Sequence, residues 1–277
     1  MVSINPLQVL LWTFRRNEKD VVNLYTTLSP VMQMATGGSM LNFGYWSSNH
    51  TDPISAQNNL CMIFAEMAEL SSAKHVADVG SGLSAPSKLW RDKFPNLDLY
   101  NVNINFNQLS FPGIQKNIEF LNATSTKLPF TNDSIDRVLA LESAQHFKPL
   151  SHFIYESKRI LVKSGLLVVA IPIITEKSSF GKLGVLKFTW SSEHYTLNYL
   201  KHLLNSIGFT ISDEQFIGSN VYPPLTDYYV ENRARLKKLI LENYSQYVEK
   251  ILFKSLLKMK KSSEEKIIDY VLLKCRL

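Results

Sequence analysis

The chain has few of the features that mark secreted, metal-binding or membrane proteins. Its 277 residues include only two cysteines, Cys61 and Cys275, too few for a disulfide framework and too isolated for a zinc site. The longest apolar run, Leu166–Ile174, is far shorter than the roughly 20 residues that a membrane-spanning helix needs. The first basic residues follow an apolar stretch, the reverse of the order in a signal peptide. We therefore expect a cytoplasmic protein with no bound metal.

The composition is that of an ordinary globular protein. Hydrophobic residues make up 45% of the chain and charged residues 19%, which excludes a disordered polyelectrolyte. No internal repeat or low-complexity tract interrupts the sequence. The formal net charge of +6 is compatible with an anionic partner, but it does not identify one.

Hydrophobic patterning divides the chain into a helical beginning and an alternating remainder. Residues 1–70 have mostly helical patterns, and strands separated by helices follow. The predicted strands are Val76–Val79, Leu97–Ile104, Ile118–Asn122, Ser134–Leu141, Leu166–Ile171, Phe209–Ile217 and Ile267–Arg276, and the predicted helices between them include Ser87–Lys93, Leu150–Leu161 and Thr196–Ile207. This order predicts an α/β fold with a doubly wound, mostly parallel, seven-stranded sheet.

The segment His75–Trp90 is the most informative part of the sequence. A short strand ends in Asp78, a glycine turn follows at Gly80-Ser81-Gly82, and a helix is predicted to start near Pro86. Glycine permits unusual backbone dihedrals and lets a ligand lie directly against the chain. A dinucleotide fingerprint would need a third glycine where Ala85 stands. The turn alone is equally compatible with a tight connection that binds nothing.

Several further segments follow in a fixed order after the D-x-G-x-G turn. They are Asn103-Ile104-Asn105 with Gln108, then Asn122-Ala123-Thr124 with Leu128-Pro129-Phe130, then Leu139–Phe147 (LALESAQHF), then Lys158–Leu166 (KRILVKSGL), with Leu41–Trp46 (LNFGYW) upstream. Together they resemble class I S-adenosylmethionine-dependent methyltransferases of the tocopherol, sterol, phosphoethanolamine and sugar O-methyltransferase kind. The resemblance covers roughly residues 20–217.

The resemblance implies a Rossmann-like core that binds S-adenosyl-L-methionine and releases S-adenosyl-L-homocysteine. It divides the chain into a helical lid at 1–70, a cofactor-binding core at 71–221, a basic helical cap at 222–262 and a final core strand at 263–277. The implied cofactor residues are Tyr25, Tyr45, Trp46, Asp78, Gly80, Ser81, Gly82, Asn103, Ile104, Asn105, Gln108, Asn122, Ala123, Thr124, Leu141 and Glu142.

Two positions depart from the usual acids of this family. Asn103 or Asn105, with Gln108 beside it, would bind the ribose in place of a carboxylate, because an amide both donates and accepts hydrogen bonds. Asn122 would accept from the adenine amino group, or cap its strand. Asp78 is expected near the amino-acid end of the cofactor or on the amides of the glycine turn.

The end of the fourth strand supplies the candidate catalytic groups. His146 is the candidate general base, because imidazole titrates near neutral pH, although it could instead position the substrate. Glu142 is the second catalytic candidate, and Gln145, His146 and Trp46 are the candidate substrate residues. Related sugar O-methyltransferases have an acid where this chain has Pro172, so methylation of O, N or C stays open.

A basic segment, Tyr222–Lys261, precedes the last strand. Apolar residues at helical spacing predict an amphipathic helix pair there. The segment could close the substrate pocket as a cap, or it could contact an anionic membrane surface or a lipid-like substrate. The alternative function is methylation of RNA or protein, with this segment as the binding surface. DNA amino-methylation is disfavoured, because the segment Leu141-Glu142-Ser143-Ala144 at the end of the fourth strand lacks the Asn/Asp-Pro-Pro sequence of such enzymes. A small-molecule or lipid-like acceptor is therefore the principal expectation, and nucleic acid is not expected to bind.

Overall fold

The computed structural model describes residues 5–109, 117–189 and 193–277. The helices are α1 (Pro6–Arg15), α2 (Glu18–Thr36), α3 (Pro53–Met67), α4 (Ala85–Lys93), α5 (Phe106–Leu109), α6 (Leu150–Ile160), α7 (Leu186–Thr189), α8 (Leu197–Ile207), α9 (Tyr222–Glu231), α10 (Arg233–Asn243) and α11 (Gln246–Glu264). The strands are β1 (His75–Val79), β2 (Asp98–Asn103), β3 (Ile118–Asn122), β4 (Ile135–Leu141), β5 (Leu161–Ile174), β6 (Thr210–Phe216) and β7 (Ile268–Arg276).

The seven strands form one sheet in the order β3-β2-β1-β4-β5-β7-β6. All neighbours are parallel except β7, which runs antiparallel to both β5 and β6. This confirms the predicted α/β class and the mostly parallel, seven-stranded sheet. The order reverses between β1 and β4, so the carboxyl ends of these strands flank the crevice in which such sheets bind ligands.

Helices cover both faces of the sheet, which explains the continuous apolar run of β5. Leu166, Val168 and Ala170 belong to the core on one face, with Phe64 of α3. Leu167, Val169 and Ile171 belong to the core on the other face, with α6 and α8. Successive side chains of a strand point to opposite faces, so a strand buried on both faces must be apolar at every position.

Two details differ from the sequence-based expectation. β5 begins at Leu161 instead of Leu166, and the expected turn at Lys163-Ser164-Gly165 is an irregularity inside the strand, where pairing passes from Ile135↔Leu161 to Arg137↔Leu166. The predicted helix pair before the last strand consists of three helices, α9 to α11. Proline at positions 223 and 224 starts α9, and short breaks at Asn232 and 244–245 separate the rest.

The N-terminal helices lie over the carboxyl edge of the sheet. α1 packs against α2, and α2 also contacts α10. Asn17 caps α2 by accepting from the Asp20 backbone amide, and α2 ends at Gly37, which adopts a left-handed conformation. None of the helices in the described part of the chain is long and apolar enough to cross a membrane.

Candidate functional site

A cavity of about 590 Å³ lies between the carboxyl edge of the sheet and the helices above it. Its floor comes from the residues that follow β1, β2, β3 and β4. Its walls come from α1, α2, α7 and α11. Most of the residues predicted for the site line this one cavity, and the exceptions are Tyr45, Trp46, Asp78 and Asn122.

The glycine turn after β1 forms one corner of the cavity. Gly80 and Gly82 have φ angles of +77° and +55°, a region that disfavours other residues. A Cβ at position 82 would meet only Leu41, at 3.5 Å, so the backbone is open towards the cavity there. A Cβ at position 80 would lie 2.4 Å from the Ser143 Cβ. Gly82 therefore leaves room for a ligand, whereas Gly80 is required by packing against the residues after β4.

Asp78 stabilises the corner from behind instead of lining it. Its Oδ2 lies 2.9 Å from the Ser87 Oγ in α4, and the carboxyl group is buried. The amides of Gly80 and Ser81 donate to the Val102 carbonyl, not to Asp78, so the structure does not show the predicted bond to the turn amides. Burial raises the pKa of Asp78 from its ordinary 3.8 to about 7.

The residues after β2 connect the core to α2. Asn103 donates to the carbonyl of Gly82 and to the Gln108 side chain, and its oxygen accepts from the Asn105 amide. Gln108 donates to Ser29 of α2. Asn103 thus ties the two turns together, and its polar atoms are already used.

Asn105 differs from Asn103 because one of its polar atoms is unused. Its Nδ2 donates to Thr26 of α2 at 3.1 Å. Its Oδ1 is buried without a hydrogen-bond partner in the structure and borders the cavity. Since a buried hydrogen-bond acceptor normally has a donor, Asn105 is better placed than Asn103 to accept a hydrogen bond from a ligand hydroxyl.

The residues after β3 form the next part of the floor. Ala123 and Thr124 line the cavity, and the Thr124 hydroxyl bonds with the carboxylate of Glu18 in α2. Asn122 lies just outside and donates its amide hydrogens to the carbonyls of Asn103 and Ile104. The side-chain oxygen of Asn122 takes part in neither bond. The two backbone carbonyls at the end of β2 therefore orient the amide whose oxygen is the predicted acceptor for adenine.

Glu142 follows β4, and its carboxyl group connects three parts of the molecule. Its Oε1 accepts from the Phe43 amide at 2.9 Å and from the Tyr270 hydroxyl of β7 at 3.0 Å. Its φ of +51° is strained for a residue with a side chain. Burial raises its pKa to about 8, although both hydrogen bonds act in the opposite direction. Glu142 therefore anchors the lid segment around Phe43 to the sheet, and the raised pKa favours the protonated carboxyl near pH 7.

His146 lies in a short helical turn after β4 and faces α2. Its Nε2 lies 2.7 Å from the hydroxyl oxygen of Tyr25, and the two rings meet edge to face. Burial, and to a smaller extent Glu142, raises the pKa of Tyr25, so the phenol stays neutral. Beside them, Gln145 donates to the Glu142 carbonyl, while its buried Oε1 has no hydrogen-bond partner in the structure. The structure thus brings a lid residue to the predicted base.

Tyr45 and Trp46 do not reach the cavity, contrary to the roles predicted for them. Trp46 is buried, donates its indole N–H to the Phe43 carbonyl and packs against Tyr228 of α9. The backbone of Tyr45 pairs with Ala56 in α3. Both residues fix the lid to the helices around it. The structure therefore supports a packing role for them.

Sequence reasoning missed the polar residues of α2 that bond to the floor of the cavity. They are Glu18, Thr26 and Ser29, and Tyr25 completes the row. It also missed Phe43 and Tyr270, which bond to Glu142. The α2 residues carried a signal, because positions 18, 25, 26 and 29 fall on one face of a helix. No local signal marks Tyr270, which β7 brings to the site from the far end of the chain.

Comparison with known proteins gives these features a context. Residues 77–169 match the model of a family described as "Methyltransferase domain". The chain is 27% identical over 262 residues to the erythromycin 3''-O-methyltransferase of Saccharopolyspora erythraea, which spans 88% of this chain and 83% of that protein. The matched family segment contains the glycine turn, the β2 and β3 ends and His146.

Solved structures with the same fold include enzymes of different chemistry. The cyclopropane synthase MmaA2 from Mycobacterium tuberculosis has a TM-score of 0.77 at 15% identity and covers 91% of this chain and 95% of its own. The [4+2]-cyclase SpnF has a TM-score of 0.75 at 18% identity, with coverage of 94% and 96%. Identities this low establish the fold and leave the reaction to be argued from the sequence relatives and from the site.

Proposed function

This chain is a class I methyltransferase that acts on small molecules, and on that premise we propose that it transfers the methyl group of S-adenosylmethionine to a hydroxyl group, with His146 as general base. The proposal rests chiefly on one contact: a hydroxyl, that of Tyr25, lies within 2.7 Å of the imidazole Nε2 inside the cavity. The relative from Saccharopolyspora erythraea, which matches most of the chain, is named as an O-methyltransferase. RNA or protein methylation is not favoured by this relationship.

Several features of the cavity floor fit the proposed cofactor. The buried oxygens of Ser81 and Asn105 have no hydrogen-bond partner in the structure, and both border the cavity. The open backbone at Gly82 leaves space between them. A nucleoside offers hydroxyl donors and a flat base to such a set of groups. We assign Asn105 to the ribose, and Ala123, Thr124 and the Asn122 oxygen to the adenine.

The donor end of the cofactor is assigned to the region between the glycine turn and Glu142. Leu141 and Glu142 line the cavity next to Gln145, whose Oε1 is buried and has no hydrogen-bond partner in the structure. Tyr25 also lines the cavity, and an aromatic face attracts a cation. When bound, S-adenosylmethionine supplies an electrophilic methyl group, so the protein has to align a nucleophile and exclude water.

His146 is assigned to hold the acceptor and remove its proton. In the structure its Nε2 already bonds to a neutral hydroxyl, and an acceptor hydroxyl that replaced the Tyr25 hydroxyl would make the same bond. Imidazole is well suited to take that proton near neutral pH. Because α2 roofs the cavity through Tyr25, Thr26 and Ser29, its closure would also exclude water from the reacting atoms.

The test compares His146→Ala with the exposed His202→Ala as a matched control. We expect His146→Ala to lower single-turnover methyl transfer by about a hundredfold or more, a normal effect for loss of a general base. Affinity for S-adenosylhomocysteine, measured by calorimetry, should change little in either variant. An unaltered single-turnover rate would remove His146 as the base. Failure of the wild type to bind S-adenosylhomocysteine would refute the proposed cofactor.

A further inference from the structure

The cavity that holds His146 is also lined by many apolar side chains of the surrounding helices, which a methyl-transfer site alone does not require. We call the part lined by these side chains the outer chamber, and its walls are formed by four helices. They contribute Leu7 and Leu10 from α1, Val21, Val22 and Leu28 from α2, Leu186 and Phe188 from α7, and Tyr247, Val248, Ile251 and Leu252 from α11. The outer chamber is continuous with the cavity that holds His146 and the glycine turn.

We infer that the outer chamber binds the body of a bulky, uncharged, largely apolar acceptor whose hydroxyl group reaches His146. This inference rests on the proposed function and specifies its substrate class. Four apolar walls gain little by enclosing a small polar acceptor, whereas burial of apolar surface is favourable by about 25 cal/mol per Å². The chemistry of the walls therefore favours an acceptor that is apolar over most of its surface.

The charges at the cavity support an uncharged acceptor. Among the lining residues that the structure describes, only Glu18, Glu142 and Lys148 carry a carboxyl or ammonium group. Glu18 bonds to Thr124 at the floor, and Glu142 is held by Phe43 and Tyr270. Lys148 lies 3.4 Å from the Glu193 carboxylate. A phosphate or carboxylate in the outer chamber would meet one lysine that is already paired, so an anionic acceptor would be poorly compensated.

The mouth of the outer chamber shows how a large acceptor would fit. Leu7 is 70% exposed and Tyr247 is 49% exposed, yet both line the cavity. Phe188 is also exposed at 40%, and its ring contacts that of Phe14 in α1. These residues place an apolar rim around an open entrance. An acceptor longer than the outer chamber would extend over the rim and cover side chains that otherwise face water.

The inner wall of α11 offers a direct test. Ile251→Trp would place a large side chain in the outer chamber, and none of the residues assigned to the cofactor belongs to α11. Leu257 lies on the same helix, is 42% exposed and is absent from the cavity lining. Leu257→Trp is therefore the matched control, because it makes a similar change on the outer face of α11.

Binding is measured with N-phenyl-1-naphthylamine, a neutral apolar dye whose fluorescence rises in an apolar site. We expect Ile251→Trp to weaken dye binding by about tenfold or more, and Leu257→Trp to leave it unchanged. Farnesol should displace the dye from the wild type, and farnesyl phosphate, which has the same apolar chain but ends in a charged phosphate, should do so at least about tenfold less effectively. Equal displacement by the two, or an unaffected Ile251→Trp variant, would overturn the inference.

A second readout separates this inference from the proposed function. S-adenosylhomocysteine should bind wild type and both tryptophan variants alike. If it binds and the dye does not, the outer chamber is not an apolar acceptor site while the proposed function stands. If the dye binds as expected and S-adenosylhomocysteine does not, the outer chamber stands and the proposed function fails.

Discussion

Replacing Glu142 by glutamine should remove a large part of the pH dependence of stability. The residue is partly buried where it lines the cavity, and no lysine or arginine among the described residues forms an ion pair with it. Burial raises its pKa from an ordinary 4.5 to about 8. The native protein therefore keeps a proton that the unfolded chain loses above pH 4.5. A group of this kind stabilises the native state at low pH, and that contribution is lost as pH rises from about 4.5 to 8.

The size of this effect follows from one retained proton. A difference of one bound proton changes the free energy of unfolding by about 1.4 kcal/mol per pH unit. Between pH 5 and pH 7.5 the free energy of unfolding of the wild type should therefore fall by about 3 kcal/mol because of this one group. Glutamine cannot ionise, and its carbonyl oxygen can still accept from the Phe43 amide and the Tyr270 hydroxyl. The free energy of unfolding of Glu142→Gln, minus that of the wild type, should thus rise by about 3 kcal/mol between pH 5 and pH 7.5.

The assay is denaturant unfolding of both proteins at pH 5 and pH 7.5 without cofactor. Asp78, whose pKa is also raised by burial, is present in both proteins and cancels in the difference. The exposed Glu231→Gln on α9 is the control and should follow the wild type at both pH values. If the difference in the free energy of unfolding between Glu142→Gln and the wild type stays constant from pH 5 to pH 7.5, the argument that this carboxyl is neutral in the folded protein is refuted.

Three other substitutions test the geometry of the cavity floor and roof. Gly82→Val should weaken S-adenosylhomocysteine binding by about a hundredfold or more in calorimetry, because its side chain enters open cavity, and it should also lower the melting temperature, because a φ of +55° is strained for valine. Gly80→Ala should lower the melting temperature, since its Cβ would collide with Ser143; a stable Gly80→Ala would contradict the packing role. Tyr25→Phe keeps the ring but removes the hydroxyl that the acceptor is proposed to replace at His146, so turnover should not fall and S-adenosylhomocysteine affinity should be unchanged. A loss of turnover of about tenfold or more would contradict the proposed replacement of the Tyr25 hydroxyl by the acceptor.

The sheet was predictable because its signals are local. Strand ends, the glycine turn and capping residues such as Thr196, whose hydroxyl accepts from the Tyr199 amide, are set by a few neighbouring residues. Parallel strands then bring their carboxyl ends to one edge whatever the details of the helices. This is why the candidate residues that follow β1 to β4 lie around one cavity although they are far apart in sequence.

The details of the β4–β5 region were not predictable in the same way. Lys163-Ser164-Gly165 has the composition of a turn, and local preference alone places the strand start after it. In the structure Leu161 pairs with Ile135 before the irregularity, so tertiary pairing extends β5 over the expected turn. The sequence also gave no indication that Gly80 faces Ser143, a contact between residues after β1 and after β4.

The roof of the site shows most clearly where sequence reasoning needs the structure. Three aromatic residues of the lid were among the implied cofactor residues: Tyr25, Tyr45 and Trp46. Local sequence could not choose among them, because the choice depends on how α2 is rotated about its axis above the sheet. The polar face of α2 fixes that rotation, since Thr26 bonds to Asn105 and Ser29 bonds to Gln108. One turn earlier on the same face, Tyr25 is then brought to His146, 121 residues away in sequence. The two hydrogen bonds to the β2 end therefore place the tyrosine, and the contact that supports the proposed chemistry depends on side chains that take no part in it.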